Sequence, residues 1–173
     1  HGIPSKSKKL REGDIVSVDA GAIYQGWYSD MARTYAVGEI SPEAAKLVRV
    51  TEESFFEGLK YCVAGNYLSD VSHAIQVHLE SNGFGVIRDY VGHGLGREMH
   101  EQPPVPNYGR PGRGPKLKKG MVLAIEPMVS AGSYAVKVLP DEWTAVTGDG
   151  SLAAHYENTV VITDAEPLVI TLL

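Results

Sequence analysis

Apolar and polar positions alternate from Ile15 to Tyr24 and again from Trp27 to Val37. A period of two predicts a pair of strands. Gln25-Gly26 lies between them and reads as a tight turn, because Gly accepts a positive φ. If Tyr24 faces Trp27, Asp19 faces Ala32. Asp30 is then the diagonal neighbour of Asp19 on the same sheet face, and the two carboxylates converge.

The period then changes. Ser41-Pro42-Glu43 is a helix start, with a capping hydroxyl, proline in the first turn and an acid behind it. Positions 44, 47, 48, 55, 59 and 62 form one apolar stripe at helical spacing, and Gly65 is the expected stop. A second helix is predicted from Leu68 to Ser81, with Val71, Ile75 and Leu79 inward and Asn82-Gly83 ending it. Both helices read as packing elements. Strand character returns over Phe84–Tyr90. Residues 92–114 carry several Gly and Pro and read as loop-rich. Further strands are predicted at Met121–Val129, Tyr134–Leu139, Thr144–Thr147, His155–Thr163 and Leu168–Thr171. Strands, two helices and then many strands predict an α+β domain with a largely antiparallel sheet.

Five residues disturb this apolar pattern. Asp19 closes the run Ile15-Val16-Ser17-Val18. Asp30 sits in the next strand. His93 stands between glycines in Gly92-His93-Gly94-Leu95-Gly96. Glu126 interrupts Met121–Val129, and Glu157 precedes Thr159–Ile162. A buried ionised carboxylate is costly unless it is paired, hydrogen-bonded or metal-bound. Five metal-compatible groups in such settings predict a pre-built site for two divalent cations. The glycines beside His93 allow close approach of backbone or ligand, and neutral imidazole suits zinc, cobalt, iron or manganese. His100 lies seven residues further on.

Composition narrows the function. The 173 residues are 43% hydrophobic and 21% charged, with a formal charge of −5, which argues against a nucleic-acid footprint. Cys62 is the single cysteine, so there is no internal disulfide and no thiolate cage, as a reducing cytoplasm would suit. No apolar run approaches the roughly 20 residues that span a bilayer.

The segments HGIP, VDAGAIYQGWYSD, YVGHGLGREMHEQPPVPNYG, GMVLAIEPMV and HYENTVVIT resemble those of type I methionine aminopeptidases of the bacterial kind. These belong to the pita-bread (creatinase/aminopeptidase-like) metallopeptidase clan, and the resemblance runs essentially the whole chain. It implies a curved antiparallel sheet with packing helices, and removal of N-terminal methionine from nascent proteins and peptides by dinuclear metal-assisted amide hydrolysis. Asp19, Asp30, His93, Glu126 and Glu157 would be the metal ligands, with Asp30 and Glu157 bridging two ions of cobalt, manganese, iron or zinc. Glu126 would also handle the proton of the attacking water. His100 would contact the scissile carbonyl and His1 the substrate amide. Met99, where many relatives carry Phe, and Trp143 would line the methionine pocket.

The resemblance further implies a cytoplasmic, monomeric enzyme acting on peptide or nascent-chain N-termini, with ribosome association compatible with such substrates. It implies no direct nucleic-acid or membrane partner. The family carries a further segment before HGIP, so residues 1–173 are read as one catalytic domain from a longer protein. Alternatives are a proline-directed aminopeptidase or prolidase of the same fold, and a non-catalytic module that kept it; Met after Glu126-Pro127 and the HGIP segment favour the methionine enzyme.

Overall fold

The computed structural model describes residues 1–172. Two ten-residue strands open it, β1 (Ile15–Tyr24) and β2 (Trp27–Ala36), antiparallel in the register Tyr24 to Trp27. Gln25 and Gly26 both take positive φ, 51° and 76°, the backbone of a two-residue hairpin turn. Asp19 pairs with Ala32, as the alternation predicts.

Helix α1 (Pro42–Leu59) starts where expected, with the Ser41 Oγ accepting from the Ala44 N–H at 3.1 Å. It ends at Leu59 rather than near Gly65. After Leu59 the backbone finds other partners: the Ala64 N–H donates to the Thr163 carbonyl at 2.9 Å, and Val63 bridges Thr163. Cys62 is nevertheless fully buried in this turn. Helix α2 (Leu68–Ser81) matches the prediction, burying Val71, Ile75 and Leu79, and Gly83 takes φ 88° just past its end. The two helices pack on each other, and their apolar faces join Leu123, Ile125, Val160 and Ile162 in one core.

The remaining strands are shorter than their apolar runs. They are β3 (Gly85–Val86), β4 (Gly92–Gly94), β5 (Glu101–Val105), β6 (Val122–Ile125), β7 (Met128–Ser130), β8 (Val136–Val138), β9 (Ala145–Thr147), β10 (Ala153–His155), β11 (Glu157–Val161) and β12 (Leu168–Val169). The main sheet has the order β1-β2-β11-β6-β4-β5, with β12 on β11, and its ladders are antiparallel. A small sheet has the order β10-β7-β3, and β8 pairs with β9.

Two differences from the sequence reading share one cause. Met121–Val129 is two strands, β6 in the main sheet and β7 in the small one. His155–Thr163 is likewise divided between β10 and β11. Both segments change sheet at the same level: proline at 127 has no N–H to offer a ladder, and the Tyr156 N–H donates to the Pro127 carbonyl at 3.2 Å. The predicted strand Phe84–Tyr90 shrinks to β3 because β7, its partner, is only three residues long. A further difference is in the Gly-rich segment, which contributes β4 and β5 to the main sheet. Its glycines let β4 into the sheet: a Cβ on Gly92 would lie 2.3 Å from the Ala124 carbonyl oxygen, and one on Gly94 2.3 Å from that of Gln102.

Candidate metal centre

The double change of sheet leaves acids on facing strands at one point. Glu157 begins β11 opposite Ala32, Glu126 follows β6, and His93 sits on β4 opposite Ala124. The β2–β11 pairing covers only two residue pairs. On either side of it a threonine hydroxyl replaces the ladder. The Thr159 Oγ1 donates to the Asp30 carbonyl at 2.8 Å and accepts from the Asp30 N–H at 2.9 Å. The Thr34 Oγ1 does the same for the His155 carbonyl and N–H, both at 2.9 Å. Asn107 fixes the third element, donating to the Glu126 carbonyl at 3.0 Å.

Asp30, His93, Glu126 and Glu157 are all buried. His93 Nε2 lies 3.9 Å from Asp30 Oδ2 and 3.6 Å from Glu126 Oε1. One ligand atom from each of Asp30, His93 and Glu157 falls within 4.8 Å of the others, and the same holds for Glu126, His155 and Glu157. Glu157 belongs to both groups. Asp19 is exposed and lies outside both, but on the same sheet face as Asp30, and its negative charge reaches both Asp30 and Glu157.

The electrostatics are unfavourable as they stand. Burial, then the charges of Glu126, Asp30 and Asp19, push the Glu157 carboxyl far above the usual carboxylate range, with Arg33 opposing. Burial, then Asp19 and Glu126, raise Asp30, with His93 and the Met31 N–H opposing. Arg33 does not pair with the Glu157 carboxylate. It donates to the backbone carbonyls of Glu157 and Ala32 and to Asn158 Oδ1, and stacks 4.2 Å over the Tyr156 ring. Glu157 Oε1 and His155 Nε2 are buried without a hydrogen-bond partner among the described residues. Clustered acids, an imidazole and orphaned donor atoms are the chemistry of a divalent cation site built from oxygen and nitrogen ligands, and the residues fit such ions.

The other expected residues lie around this cluster. The exposed His100 ring stands edge-on to His93, with centroids 4.4 Å apart. His1 lies 4.8 Å from the Tyr90 ring and 6.1 Å from that of His155, and its carbonyl accepts from the Ala145 N–H at 2.9 Å. Met99 is half-buried over Gly21, where a Cβ would meet its Cε at 2.6 Å. Trp143, 60% exposed, stands in the β8–β9 turn. Sequence reasoning gave no part to His155, Thr34, Thr159, Asn107 or Arg33. His155 had one readable signal, its place two residues before Glu157.

The model of metallopeptidase family M24 matches residues 1–164. The methionine aminopeptidase of Clostridium acetobutylicum is 66% identical over 99% of this chain and 69% of its own length. The crystal structure of methionine aminopeptidase from Thermotoga maritima superposes with a TM-score of 0.97 at 57% identity, covering 99% of this chain and 69% of that one. A prolidase from Pyrococcus furiosus reaches 0.74 at 26% identity, over 97% of this chain and 44% of its own.

Proposed function

The chain belongs to metallopeptidase family M24, and on that premise we propose that it carries the catalytic machinery of a methionine aminopeptidase, a metal-dependent hydrolase that removes the first residue from peptide and protein N-termini. Its fold is the pita-bread fold of that clan. The observation that carries the reading is the buried convergence of Asp30, His93, Glu126 and Glu157, with donor atoms left unpartnered. The relatives add the reaction: identity of 57–66% is found with methionine aminopeptidases, and 26% with the prolidase.

In this reading Asp19, Asp30, His93, Glu126 and Glu157 would hold two divalent ions. The ions supply Lewis acidity, which brings the pKa of water from 15.7 toward about 7 and polarises a carbonyl. Glu126 accepts the proton of the attacking water and delivers it to the leaving amine. His100 donates to the scissile carbonyl oxygen as negative charge develops there, a contribution of about 3–4 kcal/mol for one well-placed donor. His1 contacts the peptide amide. Met99 and Trp143 offer a polarizable thioether and an aromatic face to the first side chain.

We read residues 1–173 as one catalytic domain, monomeric, working in the cytoplasm on nascent chains, where ribosome association would present the substrate. Manganese, cobalt, iron or zinc suits the oxygen-rich ligand set with its imidazole. No helix among the described residues is long and apolar enough to cross a membrane. The test is hydrolysis of Met-Ala-Ser against Ala-Pro-Pro in manganese or cobalt. Release of methionine with the second peptide left intact is expected; preference for Ala-Pro-Pro would assign the chain to proline-directed chemistry instead.

A further inference from the structure

Glu126 stands between two imidazoles. Its Oε1 is 3.6 Å from His93 Nε2, and its Oε2 is 3.5 Å from His155 Nε2. His93 has a role as a ligand in the reading above; His155 has none. Yet His155 is only 6% exposed, its Nε2 has no hydrogen-bond partner among the described residues, and Glu157 Oε2 lies 3.9 Å away. Leaving a buried donor or acceptor unsatisfied costs about 1–3 kcal/mol. A side chain kept in that condition and aimed at two carboxylates calls for a partner.

His155 is also held in place. The Thr34 hydroxyl clasps its backbone on both sides, and Ser17 Oγ lies 2.8 Å from the same Thr34 oxygen. Its ring is stacked on that of His1, with 30° between the planes. Only a small rotation of the Glu126 carboxylate separates 3.5 Å from a hydrogen bond, and contacts of this kind tighten when a site is loaded.

We propose that His155 is a positioning residue for Glu126: its Nε2–H donates to Glu126 Oε2 when the divalent ion is bound. One oxygen is thereby committed to His155, and the other is aimed at the side of the centre that His93 occupies. This rests on the reading of Glu126 as a ligand and proton carrier. Groups that orient a metal ligand in this way typically change metal affinity or activity 10–100-fold when removed.

The test compares two amides at position 155. The His155→Gln side chain carries its NH2 to about the place of Nε2; the His155→Asn side chain is one methylene shorter and falls away from Glu126. Manganese(II) affinity by calorimetry, kcat and KM on Met-Ala-Ser, and the nitrogen couplings of bound manganese by pulsed electron paramagnetic resonance are measured for each. His155→Asn is expected to bind manganese 10–100-fold more weakly and to lose kcat with KM little changed, whereas His155→Gln stays within about threefold of the unaltered protein. Nitrogen couplings should be the same in all three.

Equal behaviour of His155→Asn and the unaltered protein overturns the proposal. So does a His155→Gln variant as impaired as His155→Asn, with one nitrogen coupling lost, since that makes His155 a ligand itself. If the unaltered protein binds no manganese and releases no methionine, the reading of the whole centre fails, a result distinguishable from failure at position 155 alone.

Discussion

Asp19 and Glu157 share one cross-strand partner: both are in register with Ala32, from β1 on one side and β11 on the other. Ala32 is fully buried. The smallest side chain with a Cβ therefore separates two acids on the face where Asp30 also lies. Ala32→Leu should fill that gap. Over-packing of this kind costs about 1–3 kcal/mol, and the larger loss is expected in manganese affinity, by calorimetry. A variant that binds manganese normally would show that the space over Ala32 is not part of the centre.

Asp19 and Glu126 are expected to fail in the same assay for different structural costs. Asp19 is exposed, so Asp19→Ala should leave the urea midpoint within about 0.5 kcal/mol of the unaltered protein, as is usual for surface changes. Glu126 is buried, and its removal from a cluster of acids relieves repulsion. Both variants should lose Met-Ala-Ser turnover while staying folded by circular dichroism. Near-normal rates in either would remove that residue from the centre.

The acids also fix the sign of a pH effect. Burial, followed by neighbouring negative charge, raises Asp30 from its ordinary 3.8 and Glu157 from its ordinary 4.5. In the metal-free fold these groups hold protons that the unfolded chain has released. The native state thus binds more protons, and stability falls as pH rises. It is full below the ordinary values and declines upward from there, through neutrality. The urea midpoint of metal-free protein should drop between about pH 6 and about pH 9, and the manganese-loaded protein should be flatter. Because bound ligands must be deprotonated, manganese uptake should release protons, so its enthalpy should vary with the ionisation enthalpy of the buffer. A midpoint that climbs over that interval contradicts the assignment.

Gly94 tests the route by which His93 enters the sheet. Its missing Cβ would sit 2.3 Å from the Gln102 carbonyl oxygen, a backbone atom that cannot swing aside. Gly94→Ala should cost about 1–3 kcal/mol by chemical denaturation, the scale of forced backbone shifts, and weaken manganese binding by moving His93. Gly150→Ala is the contrast: that position has open space around it but a φ of +80°, so stability should fall while manganese affinity holds.

Local signals were the legible ones. Gln25-Gly26 set the hairpin register and hence the Asp19–Asp30 diagonal, and Asn82-Gly83 set the end of α2. The change of sheet at Pro127 and Tyr156 was not legible, because an apolar run reads alike whether it serves one sheet or two. Gly92-His93-Gly94 has no alternation to mark it as a strand; its place depends on the Gln102 and Ala124 carbonyls, which only the folded sheet brings against it. His155 escaped notice for a related reason. Its meaning comes from the Thr34 hydroxyl, 121 residues away, and from a neighbouring Glu126 that only the tertiary fold supplies.

β11 lies in the middle of the main sheet, between β2 and β6, although it follows both in chain order. Among the ladders of the main sheet, the strand that Glu157 begins is the one that joins the β1-β2 hairpin to β6-β4-β5. A single late segment therefore supplies both the seam of the sheet and the acid common to both ligand groups, so damage to that seam would be felt at once in architecture and in cation binding.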